Sequence, residues 1–412
     1  MASAIAGTHT APSNTVSNTM THHYAILGSG RQGTAAAYDL AVHGDAASIL
    51  LADLHPEQSE AAAARVNRLA GREVATAAAL NVRDEDAVVE LLRAHHIEAF
   101  ISGVPYFFNL ALARAAVRAG ASMADFGGNT AQTRAQLALD AQAQAAGITL
   151  TPDCGQVPGL GNSLCAYTMS LFDECHDLIM YDGGIPAAPR PPWHYILTFN
   201  IEGLTNEYFG TTAFIRNGQL IEMGCFQPEE YELVDFGPPV GVLEAFTTAG
   251  GTSTMPWTWE GKLRTLQNKT IRWPGHFAQW KAFSDAGLID LEPVEVDGQK
   301  VVPRHMLHAL LGPRLYAQPG EHDLVIVRII GRGLVGGQER EVVVDLFDEY
   351  DPATGFTAME RTTGWHAAII CAAQARGQTP RGGVPVELAM PGPAFAAELE
   401  KRGFNLRVKW VA

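Results

Sequence analysis

A glycine-rich turn between two apolar strands constrains this chain more than any other feature. Tyr24-Ala25-Ile26-Leu27 is a short apolar run of strand type, and Gly28-Ser29-Gly30-Arg31-Gln32-Gly33 follows at once. Thr34–Leu40 then reads as a small-residue helix, and a second apolar run, Ser48–Ala52, ends on Asp53, 20 positions after Gly33. Strand, spaced glycines, helix, strand and terminal acid together make the dinucleotide-binding fingerprint of a Rossmann-type α/β domain. Gly28 permits the tight turn, Gly30 lets the backbone approach a pyrophosphate, and Gly33 lets helix and strand pack closely. The helix N-terminus offers unpaired N–H groups to the phosphates, with Ser29, Arg31 and Gln32 completing the loop. A carboxylate at Asp53 accepts hydrogen bonds from ribose hydroxyls and repels a 2′-phosphate. Leu54-His55-Pro56-Glu57 brings no Arg or Lys to hold such a phosphate, so NAD is expected over NADP.

Strand-like and helix-like runs keep alternating as far as Pro152, which predicts a parallel, doubly wound sheet over residues 22–155. Thr130–Ala146 reads as one helix stopped by Gly147. In such a fold the ligand crevice lies at the carboxyl ends of the strands. Gly28, Asp53, Val104-Pro105-Tyr106, Asp125 and Asp153-Cys154 all fall there. After Gly155 the rhythm changes to long Pro-, Gly- and aromatic-rich stretches with β-type runs. Leu324–Ile330 and Glu341–Phe347 read as antiparallel partners, with Phe356–Thr363 as a third strand. Residues 156–363 are therefore expected to form an α+β substrate and oligomerisation domain on an open, largely antiparallel sheet. Gly364–Ala375 returns to helix within a C-terminal segment, 364–412.

A net charge of −15 over 412 residues argues against a nucleic-acid or anionic-membrane surface, since either needs a basic patch. The five cysteines are scattered without CxxC spacing, and the histidines form no HExxH pattern. Neither a disulfide framework nor a metal site is expected, and a reducing cytoplasm is. No apolar run reaches membrane-spanning length. Residues 1–21, rich in Ser, Thr, Ala and Asn, are expected to be a disordered leader.

These motifs resemble those of the saccharopine dehydrogenase-like oxidoreductases, and among them the bacterial L-lysine 6-dehydrogenases. The resemblance rests on Asp125-Phe126-Gly127-Gly128, Pro152-Asp153-Cys154-Gly155-Gln156-Val157-Pro158-Gly159 and Gly183-Gly184-Ile185-Pro186. It continues in Glu202-Gly203-Leu204, Gly250-Gly251-Thr252-Ser253-Thr254 and Lys269-Thr270-Ile271-Arg272-Trp273-Pro274-Gly275-His276. What it implies is NAD-dependent oxidative deamination of L-lysine at the ε-carbon, giving 2-aminoadipate 6-semialdehyde and ammonia. It also implies that the second domain supplies the substrate pocket and a subunit interface, making a homodimer or higher homo-oligomer, and that the C-terminal segment packs back on the nucleotide domain.

That chemistry needs a base near the amine, a cation for the substrate carboxylate and an anion for its ammonium. Asp125, Asp153 and His276 are the candidate catalytic groups. Asp125 is also placed to close a turn, and His276 to be a satisfied core histidine. Arg272 is the favoured carboxylate ligand, its rival role being a structural ion pair. Glu244, in an apolar run, is either an ammonium ligand or half of a structural pair. Tyr106, Thr252 and Ser253 are candidate substrate contacts, the last two in what is also good turn chemistry. Val104, Pro105, Asn109 and Cys154 border the expected cofactor site. Asn109 competes for the role of helix cap, and Cys154 for that of a small core hydrophobe.

Overall fold

A computed structural model describes residues 21–411 of the chain; the leader expected over 1–21 lies, but for Thr21, outside the described residues. The first half alternates strictly. Strands β1 (His22–Leu27), β2 (Ala46–Asp53), β3 (Ala75–Ala79), β4 (Ala99–Ser102), β5 (Ser122–Asp125) and β6 (Thr149–Thr151) are joined by helices. These are α1 (Arg31–His43), α2 (Pro56–Ala70), α3 (Glu85–Ala94), α4 (Asn109–Ala119), and then α5 (Thr130–Leu137) and α6 (Asp140–Ala145). Asp84 caps α3, its carboxylate accepting the Ala87 amide at 3.0 Å.

The helix expected over Thr130–Ala146 is broken at Ala138-Leu139, and the reason lies downstream. A two-residue strand from the C-terminal part, Gly382–Gly383, adds in parallel to β6, and Asp140 accepts the Gly383 amide at 3.0 Å. A Cβ on Gly383 would lie 2.5 Å from the Leu137 carbonyl oxygen, so an unbroken helix would leave that added strand no room.

Past α7 (Leu160–Met169) runs the long β7 (Glu174–Pro186), then α8 (Ile201–Glu207), β8 (Thr211–Arg216), β9 (Gln219–Gly224), β10 (Glu232–Asp235) and β11 (Val242–Phe246). Next come α9 (Met255–Thr258), β12 (Thr265–Arg272), α10 (His276–Asp285), the small hairpin β13 (Val294–Val296) and β14 (Gln299–Val301), and α11 (Pro303–Leu315). The chain closes with β15 (Asp323–Val335), β16 (Gln338–Glu349), α12 (Ala358–Ala375), β17 (Gly382–Gly383), α13 (Gly392–Lys401) and β18 (Asn405–Val411).

Among the described residues these strands make two large sheets. The first is parallel, in the order β17-β6-β5-β4-β1-β2-β3, with its order reversing beside β1. The second has nine strands, is largely antiparallel, and is parallel only where β12 meets β7. The fold is a Rossmann-type parallel sheet joined to a mixed, mostly antiparallel one.

The third strand expected at Phe356–Thr363 is instead the start of α12, and β18 supplies that strand beside β16. A capping box explains the difference: Thr357 accepts the Glu360 amide while Glu360 accepts the Thr357 amide. Asp323 adds both carboxylate oxygens to the Ala358 and Met359 amides, each at 2.9 Å. Tertiary and capping bonds together outweigh the β-type look of the flanking Phe and Thr residues.

Helix α12 lies across both sheets. Gly364 packs so closely on α1 that a Cβ would meet the Gln32 carbonyl at 2.7 Å, and Gln374 donates to the Met123 carbonyl of β5 at 3.0 Å. Its Trp365 and Ile369 belong to the core under the second sheet. Among the described residues no helix is long and apolar enough to cross a membrane.

Candidate functional site

The fingerprint loop is shaped by what surrounds each glycine. A Cβ on Gly33 would lie 2.2 Å from the Gly28 oxygen, and one on Gly28 would lie 2.6 Å from the Gly103 carbonyl carbon. Both are fixed by close packing of α1 and of the β4 loop on the turn. Gly30 differs, for its Cβ would meet nothing within 4 Å. It opens on space at the start of α1, whose N-terminus has no side-chain cap and no acid in its first turn. Beside it the Ser29 hydroxyl is buried without a hydrogen-bond partner. An open backbone, uncapped helix amides and an orphaned hydroxyl fit the pyrophosphate of a dinucleotide. Asp53 closes the far side, its Oδ2 accepting the Ser29 amide at 2.9 Å and its Oδ1 the His55 amide at 3.0 Å.

Arg31 and Gln32 belong to the same loop, but their side chains turn elsewhere. Arg31 pairs with Glu360 of α12 at 2.6 Å, and Gln32 donates to the Thr198 carbonyl. Asn109 does not cap α4. It stands inside the first turn, and its carboxamide oxygen accepts the Ser102 hydroxyl at 2.7 Å. Val104 and Pro105 remain at the rim, Pro105 exposed and Val104 partly so, with the Val104 amide against Gly28.

At the ends of β5 and β6 two carboxylates lie close together. Asp125 is 1% exposed, and both of its oxygens are spent. Oδ1 accepts the Gly127 and Asp153 amides, and Oδ2 accepts the Gln136 carboxamide at 2.6 Å. These bonds close the turn after β5. Asp153 sits in the left-handed region at φ 62° and accepts the Thr133 hydroxyl at 2.9 Å and the Ser253 hydroxyl. Burial, and then the neighbouring charge of Asp125, push its carboxyl up to about 7 despite those two donors.

Cys154 is fully buried, its thiol donating to the Thr151 carbonyl and held well above the usual range by burial. It packs as a core hydrophobe and does not line the crevice. Its carbonyl accepts from His366 Nδ1 at 2.9 Å, which ties the turn to α12.

The second domain meets these strand ends along a seam. Ser253 bonds Asp153 from one side, and Asn206 at the end of α8 donates to the Gly128 carbonyl. The next residue, Glu207, pairs with Arg272 at 3.0 Å. Arg272 is 3% exposed and its guanidinium also donates from Nε to the Tyr208 hydroxyl at 3.0 Å and from Nη1 to the Ile271 carbonyl. The rings of Tyr195 and Tyr208 lie 5.3 Å and 5.8 Å from it. Asp182, in the neighbouring strand β7, is buried and accepts from Asn268 at 2.7 Å. Burial and the nearby Glu207 carboxylate raise it to about 7, while Arg272 and Asn268 act in the other direction.

Three candidate residues make bonds within the second domain. Among the described residues Glu244 pairs with no cation. Its two oxygens accept the Gly275 and Phe277 amides at 2.8 Å and 2.9 Å, capping α10 from outside. Thr252 donates to the Ala213 carbonyl at 2.9 Å and anchors its loop. His276 is fully buried behind Tyr208, with its Nε2 2.8 Å from the Tyr208 hydroxyl. Burial and Arg272 hold it well below its ordinary value, so it is neutral and reaches the seam only through Tyr208. Tyr106 remains half-buried over Gly128.

The residues that sequence reasoning passed over are Asp182, Glu207 and Tyr208. Asp182 stood directly before Gly183-Gly184, and the packing shows what those glycines do. A Cβ on Gly183 would lie 3.1 Å from Arg272 Nη1. Among the described residues no group of three or more His, Cys, Asp or Glu side chains is placed to hold a metal ion.

Two family models match the chain. One, described as the saccharopine dehydrogenase NADP binding domain, matches residues 24–151; the other, the saccharopine dehydrogenase C-terminal domain, matches residues 155–404. Among solved structures, the apo saccharopine dehydrogenase (L-Glu forming) of Saccharomyces cerevisiae superposes with a TM-score of 0.75 at 18% identity, over 95% of this chain and 100% of that one. It is alike in fold. A myo-inositol dehydrogenase from Corynebacterium glutamicum reaches a TM-score of only 0.39 at 14% identity, over 95% of this chain and 99% of its own. With a nicotinamide dinucleotide cradle at one end of the seam and the two models together spanning nearly all of the described chain, the chain belongs to the saccharopine dehydrogenase family of nicotinamide-dependent oxidoreductases.

Proposed function

We propose that this protein is an NAD-dependent L-lysine 6-dehydrogenase, oxidising the ε-carbon to give 2-aminoadipate 6-semialdehyde and ammonia. The observation that carries the reading is the continuity of the seam. Asp153, with a carboxyl near neutrality, packs against Gly127; Gly128 holds Asn206, and the next residue, Glu207, holds the buried guanidinium of Arg272. A carboxyl near neutrality and a guanidinium are thus joined by one chain of contacts along the seam, which supports a substrate carrying an amine at one end and a carboxylate at the other.

Bound nicotinamide supplies the hydride acceptor for the carbon that bears the amine. Asp153 takes a proton from the ε-ammonium, because only the neutral amine can give up that hydrogen. Arg272 holds the α-carboxylate with the N–H groups that Glu207, Tyr208 and Ile271 leave uncommitted. Water then adds to the imine carbon and ammonia leaves. The reading is tested by NADH formation with L-lysine against a panel of amines, with and without an added aldehyde acid. A requirement for the aldehyde acid would instead mark a reductase that joins two substrates.

NAD is the cofactor of this reading, since a 2′-phosphate would face the Asp53 carboxylate. Asp53→Ser combined with Leu54→Arg should move the NADP-to-NAD ratio of kcat/KM by about tenfold or more, for a charged hydrogen bond of roughly 1.5–3 kcal/mol. Wild-type protein reducing both cofactors equally at equal concentration would contradict this assignment.

We infer a homodimer or higher oligomer, a reading that the second sheet supports. Its outer face carries a row of partly buried side chains, Ile179, Ile330 and Val343, in register across β7, β15 and β16. Flanking it are the ion pairs Arg328–Asp345 and Arg332–Glu341. On a chain of charge −15, a charge-balanced face is where two copies approach with least repulsion. Light scattering should give at least twice the chain mass, and Ile330→Glu should halve it; a monomeric wild type would rule this out. The five unpaired cysteines support a reducing, cytoplasmic setting.

A further inference from the structure

The charges around Arg272 do not balance. Glu207 pairs with it at 3.0 Å and also accepts the Thr270 hydroxyl at 3.0 Å. Asp182 lies across from Thr270 in the β7–β12 register, 6% exposed, and its donors are neutral amides, Asn268 at 2.7 Å and the nearby Gln156 carboxamide. Among the described residues no Lys, Arg or His comes within ion-pair distance of Asp182. Lys269 is committed to Glu232 at 2.7 Å and Glu230 at 3.5 Å, while His276 bonds Tyr208. The cluster therefore holds two carboxylates and one cation. A buried carboxylate without a paired cation is costly, and burial and Glu207 raise the carboxyl of Asp182 although Asn268, Arg272 and Gln156 oppose them. The opening lies at Glu207, whose side chain is 22% exposed, one residue from the Asn206 contact to Gly128. What would complete the cluster is an ammonium group, entering from the seam beside the cofactor cradle.

We propose that Asp182 and Glu207, grouped around Arg272, form a subsite for the zwitterionic head group of an amino-acid substrate, the two carboxylates receiving the α-ammonium and the guanidinium the α-carboxylate. The proposal rests on the amine-oxidising reading above and deepens it, for it makes the enzyme select amino acids over simple ω-amino acids and diamines. Gly183 belongs to the same device. A side chain there would press on Arg272 Nη1 and on the Ile271 carbonyl, 2.4 Å from its Cβ.

The test separates head-group recognition from turnover. L-Norleucine carries the α-ammonium and α-carboxylate but no ε-amine, and hexanoate carries the carboxylate alone. Calorimetric titration of the full-length enzyme at pH 8 should show L-norleucine binding at least about tenfold more tightly than hexanoate. Asp182→Asn and Glu207→Gln, which keep shape and can still accept from Asn268 and Thr270, should each erase most of that preference while hexanoate binding is retained. The subsite is overturned if wild type shows no preference, or if the preference survives both substitutions. Ammonia release from lysine is measured separately. Its absence with the norleucine preference intact overturns the lysine reading alone, and its presence without the preference overturns the subsite alone.

Discussion

Asp153→Asn is expected to lower kcat/KM for lysine by about 10²–10⁴-fold, the usual worth of a positioned general base. The substitution suits its surroundings. Asn tolerates the left-handed backbone at φ 62°, and its carboxamide can serve both the Thr133 and Ser253 hydroxyls. The pH profile carries the stronger test. With burial and Asp125 holding the wild-type carboxyl near 7, Asp153 is protonated below that value and ionised above it. Wild-type kcat/KM should therefore rise through about pH 7, and in the Asn variant the rise should move toward the free ε-ammonium near ~10.4.

Stability should move the other way. A carboxyl raised in the folded state contributes stability that is complete below its unfolded value near 3.8 and is lost as pH rises through about 7. At pH 8 the Asn variant escapes that loss, so its melting temperature should not fall. An unchanged pH limb in the variant would remove Asp153 from the role of base.

Arg272→Lys is expected to cost at least about tenfold in kcat/KM for lysine and much less for cadaverine, which has no carboxylate to lose. Lys is the informative replacement. Arg272→Ala would leave Glu207 without its ion-pair partner and remove the one cation beside the buried Asp182, a change of about 3–5 kcal/mol that unfolds proteins for reasons unrelated to substrate. Lys keeps the charge beside Glu207 but gives up the planar fork that meets a carboxylate with two parallel N–H groups. Equal losses on both amines would leave the reaction standing and take Arg272 out of the carboxylate site.

The nucleotide domain was legible because its signals are local. The glycines, the strand ends and Asp53 all lie within one βαβ unit, and the structure gives each a neighbour that explains it. The second domain resisted for the opposite reason. Glu244 looks like a stranded charge in an apolar strand until the start of α10 presents the amides it caps, 31 and 33 residues on. Asp182 and Glu207 are unremarkable in sequence, since their meaning comes from β7, α8 and β12 converging on one guanidinium. The error at Phe356–Thr363 was avoidable, because Thr357 and Glu360 hold capping-box spacing.

The central claim is the loss of the ε-nitrogen with transfer of a hydride to NAD. It is tested most directly with L-lysine carrying ¹⁵N at the ε-position, the enzyme and NAD, following NADH and the isotope content of the released ammonia. The account expects one labelled ammonia for each NADH formed, with the α-nitrogen retained in the product. Unlabelled ammonia from the α-position, or NADH formed without ammonia, would contradict it.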